Sequence, residues 1–174
     1  MLFLDIVRRC PLRRSMKNRI LPFIALCLMM GFAAAAIAAD KPNFSGDWKL
    51  NTAKSELGPI PPPSSMTEKI DHKDPDMKVS TSSVGGPQGD LNYELKYTTD
   101  GKECVNHIGD SELKSTVNWQ GDALAIHTKA DFGQGEMDIK GNWTLSSDGK
   151  TLKQTAHIET PQGPLDLTYI FDKQ

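Results

Sequence analysis

The chain has 174 residues, 20 of them basic and 22 acidic, and a net charge of −2 at neutral pH. These totals hide an uneven distribution, because six of the basic residues and one acidic residue lie within the first 39 positions. Without that segment, the remaining residues carry 14 lysines and no arginine against 21 acidic groups, a net charge of about −7. So acidic a surface repels phosphate backbones and anionic lipid, which argues against nucleic acid binding and stable membrane insertion.

Residues 1–39 have the pattern of an export signal peptide. Six arginines and lysines precede an apolar, uncharged run over 20–37, and the small residues that follow predict cleavage after Ala38 or Ala39. Met16 is a possible true start, because the stretch that begins there is by itself a compact signal. The apolar run is also long enough for an uncleaved membrane anchor, but the small residues at its end favour cleavage. We expect an exported protein, periplasmic or secreted.

Residues 40–174 alternate apolar and polar side chains in the manner of strands, and no part shows sustained helical periodicity. In chain order the runs are 44–50, 66–73, 77–81, 91–97, a short run near Cys104, 113–119, 124–130, 137–145, 152–158 and 165–171. Short connections between consecutive runs imply antiparallel neighbours, and closure removes exposed strand edges. We therefore predict one all-β domain over 40–174, a single antiparallel up-and-down β-barrel of about 8–10 strands.

A proline-rich segment interrupts this pattern after the first strand. Residues 51–66 include four prolines between positions 59 and 63, which exclude both a helix interior and a central strand. We expect a strap, with its Pro-rich part at 58–65, that either crosses a barrel mouth or lies on the outer wall. A second irregular stretch, GGPQGD at 85–90, predicts a wide hairpin loop.

The first strand carries the sequence FSGDWKL at 44–50, and a near copy, IKGNWTL, stands at 139–145. Glycine two residues before tryptophan leaves space on one strand face, which an indole or a neighbouring strand can fill. With this opening motif and the C-terminal LTYIFDKQ, the chain resembles the lipocalin and fatty-acid-binding-protein superfamily, and most of all small secreted bacterial lipocalin-like proteins of uncharacterised function. The resemblance implies an up-and-down barrel with an interior site for a small apolar ligand.

Two features of the fatty-acid-binding branch are missing from this chain. That branch has two short helices after the first strand, where this sequence has the Pro-rich strap. It also holds the ligand carboxylate with an Arg-x-Tyr pair on the last strand, and here Leu167 stands in the arginine position before Tyr169. The resemblance therefore implies the barrel without that clamp.

Six aromatic side chains are candidates for lining an interior pocket, because each shares a strand face with aliphatic residues. They are Trp48, Tyr93, Tyr97, Trp119, Trp143 and Tyr169. One interpretation is an aromatic-lined pocket for a small apolar or amphipathic molecule. The other is that these rings fill the core and seal its ends.

The sequence shows no recognisable catalytic constellation or metal site. His127 and His157 alternate with apolar neighbours so as to face outward, and Cys104 and His107 fall on opposite faces of one strand. Nucleophile-elbow, zincin and phosphate-loop motifs are absent from the sequence. We expect no metal, no cofactor and no catalysis. Cys104, the single cysteine after the leader, is either buried or available for an intermolecular disulfide.

Our leading hypothesis is an exported lipocalin-like barrel that binds a small apolar or amphipathic ligand without catalysis. An alternative is an envelope-associated protein-interaction barrel with a filled interior. A third is an enzyme that uses tyrosine and acidic residues at the barrel mouth.

Overall fold

Ten β-strands account for most of the described chain. The computed structural model describes residues 41–133, 135–160 and 162–174, and the predicted export signal lies outside them. The strands are β1 (Gly46–Leu50), β2 (Ser65–Lys73), β3 (Asp76–Gly86), β4 (Gly89–Thr98), β5 (Asp100–Ile108), β6 (Ser111–Gln120), β7 (Ala123–Asp131), β8 (Glu136–Leu145), β9 (Thr151–Thr160) and β10 (Gly163–Lys173). Within these ranges the chain forms no helix with the length and hydropathy needed to cross a bilayer. The all-β prediction is confirmed.

The strands form one antiparallel sheet in the order β4-β3-β2-β1-β10-β9-β8-β7-β6-β5. The first and last strands pair with each other, with Trp48 opposite Lys173 and Leu50 opposite Phe171. The sheet curls until its two edge strands, β4 and β5, lie beside each other. The result is a nearly closed up-and-down barrel, as the short connections in the sequence predict.

Side chains, and not a backbone ladder, join β4 to β5. The amide of Asn106 accepts a hydrogen bond from the Lys96 N–H at 2.7 Å and donates one to the Lys96 carbonyl oxygen at 2.9 Å. Nearby, the Thr98 N–H donates to Cys104 Sγ at 3.2 Å. Asn106 is buried and Cys104 half-buried, so these contacts satisfy polar groups that the missing ladder would otherwise leave unpaired.

One end of the barrel, which we call the closed end, lies at the β2–β3 and β6–β7 turns, and the open end lies at the β3–β4 and β5–β6 turns. The buried hydrophobic cluster comprises Phe44, Trp48, Leu50, Ile70, Met77, Val79, Val117, Leu124, Leu152 and Phe171. Most of these residues lie in the strand halves near the closed end. Because full burial of one large apolar side chain contributes about 1.5–3 kcal/mol, this end supplies much of the stability.

The Pro-rich strap, residues 51–64, runs along β10 and then leads to the start of β2. Glu56 and Thr168 exchange both backbone hydrogen bonds, at 2.7 and 2.8 Å, and the next strap residue, Leu57, is buried. The last strap residue donates its N–H to the carbonyl oxygen of Val84, near the end of β3, at 2.9 Å. These contacts attach the strap to β10 on one side and to the end of the β2–β3 ladder on the other.

The prediction of a wide loop at residues 85–90 was wrong. β3 ends at Gly86 and β4 begins at Gly89, and these two residues pair directly across a two-residue turn. Gly85 and Gly89 have φ angles of 66° and 80°, in the left-handed region that glycine adopts without strain. Glycine in this conformation permits both the tight turn and the register shift that precedes it.

The repeated Gly-x-Trp motif makes room for neighbouring strands, as predicted. A Cβ built on Gly46 would lie 2.8 Å from Cε of Lys173, on β10. A Cβ built on Gly141 would lie 2.7 Å from the carbonyl oxygen of Thr155, on β9. Gly141 therefore permits a close approach of the β9 backbone that a larger residue would block, whereas at Gly46 the contact is a movable side-chain end and the φ angle of 147° favours glycine.

Candidate functional site

The interior wall follows from the strand pairing, because residues directly opposite in an antiparallel pair face the same side. Trp48 on β1 stands opposite Glu68, Glu68 opposite Thr81, and Thr81 opposite Tyr93. Trp48, Glu68 and Thr81 are each at most 5% exposed. A row of inward-facing side chains thus crosses four strands, with a carboxyl group in the middle.

Aromatic rings seal the closed end. The Phe44 ring lies 6.0 Å from that of Trp119 and 6.4 Å from that of Trp143, measured between centroids. The indole N–H of Trp48 donates to the Phe44 carbonyl oxygen at 3.0 Å, which satisfies its polar atom. Trp119 and Trp143 therefore belong to a packed plug around Phe44, and Trp48 joins it through this hydrogen bond.

Asp74 fastens this plug from the β2–β3 turn. Its carboxylate accepts hydrogen bonds from the Thr99 hydroxyl and, at 2.8 Å, from the Trp119 indole, and these two bonds lower the pKa of Asp74. The ammonium group of Lys41 lies 3.5 Å from the same carboxylate and 5.1 Å from the Trp119 ring centroid. The cation and the carboxylate thus hold one indole between them.

His72 has a structural role at the same end. Its Nδ1 accepts a hydrogen bond from the Phe44 N–H at 3.3 Å, and its buried Nε2 lies 3.9 Å from the Asp74 carboxylate with no hydrogen-bond partner in the described part of the chain. Burial lowers the pKa of His72, so the ring is neutral at pH 7.

Several inward-facing side chains nearer to the open end are only partly buried, although Leu113 and Ala130 in the same half are buried. The partly buried apolar ones are Met66, Leu91, Met137, Ile139, Ile158 and Leu165. Solvent therefore reaches part of this half of the wall. An apolar surface open to solvent inside a barrel mouth is the usual form of a site for a small molecule.

A buried carboxyl group lies between the two halves. Glu68 is 5% exposed, and its Oε2 accepts a hydrogen bond from the Gln154 side-chain amide at 2.7 Å. Burial raises the pKa of Glu68 from 4.5 to about 7, and the Gln154 hydrogen bond only partly opposes this. Near neutral pH the group is thus divided between its neutral and ionised forms.

Three tyrosines surround Glu68. Tyr169 stands directly opposite Gln154 on the neighbouring strand, and Tyr93 and Tyr97 face inward from β4. Burial raises the pKa of Tyr93 to about 12 and also raises the pKa values of Tyr97 and Tyr169, and the charge of Glu68 adds to all three shifts. The three hydroxyls are therefore neutral and available as hydrogen-bond donors.

The structure divides the six predicted site residues into two groups. Trp119 and Trp143 are at the sealed end, Tyr93, Tyr97 and Tyr169 are near Glu68, and Trp48 belongs to both, because it hydrogen-bonds to Phe44 and stands opposite Glu68. The sequence interpretation missed Glu68 and Gln154. For Glu68 a signal existed, because it alternates with Met66 and Ile70 in the inward register of β2.

The outer wall shows no metal site in the part of the chain that the structure describes, since no three His, Cys, Asp or Glu side chains converge there. His127 and His157 face outward as predicted, paired with Asp138 at 2.9 Å and Asp166 at 2.7 Å. A depression of about 670 Å³ lies across β1 to β4, between outward polar side chains such as Lys69. It is open to solvent, and its lining also includes Glu68 and Tyr93, so it lies over the same part of the wall as the buried cluster.

No protein-family model matches the sequence, and no curated protein matches it as a relative. Solved structures do share its fold. The zebrafish ileal bile acid-binding protein, in complex with cholic acid, is 20% identical with a TM-score of 0.54, over 75% of this chain and 98% of its own. Secretory abundant heat soluble protein 4 from Ramazzottius varieornatus is 18% identical with a TM-score of 0.54, over 75% and 94%. This chain has a calycin-type barrel fold. At these identities the likeness shows the fold alone.

The last strand shows where Leu167 and Tyr169, the positions compared with the Arg-x-Tyr clamp, lie in the barrel. Leu167 is 4% exposed and lies two residues before Tyr169, on the same inward face of β10. An apolar side chain therefore occupies the place where the fatty-acid-binding branch is expected to have arginine.

Proposed function

We propose that this protein is an exported calycin-type barrel that binds a small apolar or amphipathic molecule through its open end, without catalysis. The observation that carries the proposal is the asymmetry of the interior, in which aromatic rings pack together at one end and several partly exposed apolar side chains line the other. The bile acid complex of a protein with the same fold supports an interior site. Export rests on the N-terminal sequence alone.

A neutral apolar fluorophore, N-phenyl-1-naphthylamine, tests this proposal. Ala156 faces the interior of β9, so Ala156→Phe should fill the site and weaken probe binding at least about tenfold. Ala125 faces outward on β7, and Ala125→Phe should leave binding unchanged. Absence of probe binding to the wild-type barrel, or equal binding by both variants, would contradict an interior site and favour the protein-interaction alternative.

A further inference from the structure

The single charge on the deep interior wall is negative. Of the acidic side chains in the described part of the chain, Glu68 is the one that is buried. The basic residue in the inward register, Lys173, is exposed at the strand end, with its ammonium group 5.1 Å from the Trp48 ring. No arginine occurs after residue 39, and Leu167 is apolar. A ligand carboxylate that entered this interior would therefore meet a carboxyl group and no cation.

Glu68 has an acceptor free for a ligand. The Gln154 amide occupies Oε2, and among residues 41–133, 135–160 and 162–174 no hydrogen bond to Oε1 is present. In the described part of the chain the buried polar atoms that lack a partner are His72 Nε2 and Asp138 Oδ1, so Glu68 Oε1 is within reach of water or of a ligand donor. A ligand that supplies a charged donor would stabilise the ionised form.

Aromatic side chains on nearby strands share the interior side with Glu68. Trp48 is opposite Glu68 on one side, Tyr93 lies two strands away on the other side, and Tyr169 is opposite the Gln154 that Glu68 contacts. A carboxylate with tyrosine and tryptophan side chains nearby suits an ammonium group, through ion pairing and through the ring quadrupoles.

We propose that Glu68 makes the interior selective for amphipathic molecules that combine an apolar chain with a protonated amine, and that it discriminates against carboxylates. This inference rests on the proposed interior binding function. The acidic net charge of residues 40–174 acts in the same direction, because it attracts cations and repels anions at a distance.

The test uses three ligands with the same twelve-carbon chain: dodecylamine, dodecanol and dodecanoate, each competing with N-phenyl-1-naphthylamine at pH 8. We expect dodecylamine to displace the probe at a concentration about tenfold or more below that of dodecanoate. Glu68→Gln should weaken dodecylamine binding about 10- to 100-fold and leave dodecanol binding unchanged. The matched control is Glu103→Gln, because Glu103 is exposed on the outer face of β5.

The outcomes separate the two proposals. If the probe and dodecanol bind but dodecanoate competes as well as dodecylamine, or Glu68→Gln keeps the amine preference, selectivity by Glu68 is refuted and interior binding stands. If neither the probe nor dodecanol binds to the wild-type barrel, interior binding fails and the selectivity falls with it.

The pH dependence of wild-type binding gives a second measurement that needs no variant. The titratable groups facing Glu68 are Tyr93 and Tyr97 from β4 and Tyr169 from β10, and their raised pKa values keep them neutral. His72, on the same strand, has a lowered pKa and is neutral above pH 6.5. Ionisation of a group with a pKa of about 7 should strengthen dodecylamine binding about fourfold from pH 6.5 to 8. A flat profile, or an equal change for dodecanol, would contradict the role of Glu68.

Discussion

Burial of Glu68 should make the stability of the barrel fall with rising pH, and Glu68→Gln should remove this dependence. The folded state holds the proton up to a pH of about 7, whereas the unfolded chain releases it near 4.5. The difference corresponds to about 3 kcal/mol, at about 1.4 kcal/mol for each pH unit. Because the folded pKa is raised, this stability is fully present below pH 4.5 and is lost as the pH rises through 7.

The measurement is urea denaturation at pH 4.5, 6 and 8, followed by tryptophan fluorescence. Glutamine has nearly the same shape as glutamic acid and can still accept the Gln154 hydrogen bond, so the variant loses the titration and little packing. We expect the free energy of unfolding of the wild type, relative to Glu68→Gln, to fall by about 3 kcal/mol between pH 4.5 and 8. Glu103→Gln should show the wild-type profile. The same difference between wild type and Glu68→Gln at all three pH values would refute the burial argument.

Three further substitutions test the packing. Phe171→Ala should lower the free energy of unfolding by about 3–5 kcal/mol in urea denaturation, because the ring is fully buried in the core. Asn106→Leu should cost about 1–3 kcal/mol and speed amide exchange at Lys96, whose N–H and carbonyl lose their partner. Gly141→Ala should lower the melting temperature, since the added Cβ would lie 2.7 Å from the Thr155 carbonyl oxygen and cost about 1–3 kcal/mol.

Val105→Ala is the common control for these variants. Val105 is 50% exposed on the outer side of β5, and its truncation should change stability by no more than about 0.5 kcal/mol. A loss below about 1 kcal/mol for Phe171→Ala would place the ring outside a tightly packed core. Unchanged exchange at Lys96, or an unchanged melting temperature for Gly141→Ala, would contradict the corresponding contact.

The strands could be predicted because alternation is a local property of the sequence. In β1, Trp48 and Leu50 face the core while Asp47 and Lys49 face out, and the same rule holds through β10. Antiparallel neighbours joined by short turns then leave few topologies other than a meander that closes on itself. The ten-strand barrel follows from these local patterns.

The buried polar site could not be predicted in the same way. For Glu68 the inward register of Met66 and Ile70 is a signal, but Thr67 and Lys69 beside it make three polar residues in succession and obscure that signal. Its partner Gln154 is 86 residues away in sequence, and only the cross-barrel geometry shows that the two meet. The turn after β3 was also hidden, because the conformation of Gly85 and Gly89 decides its length and leaves no mark in the composition.

The missing ladder between β4 and β5 also bears on the order of the strands along the chain. Thr99 links β4 to β5 along the chain, although these two strands are the edges of the sheet and share no ladder. At the other end of the domain, the Gln174 N–H donates to the Asp47 carbonyl oxygen at 2.9 Å, so the last residue lies beside the first strand. A circular permutant opened at Thr99, with Gln174 joined to Lys41 by a short linker, would run from β5 through β10 and then from β1 through β4. Every ladder would then connect strands adjacent in sequence, and the lower contact order should make this permutant fold faster than the native chain.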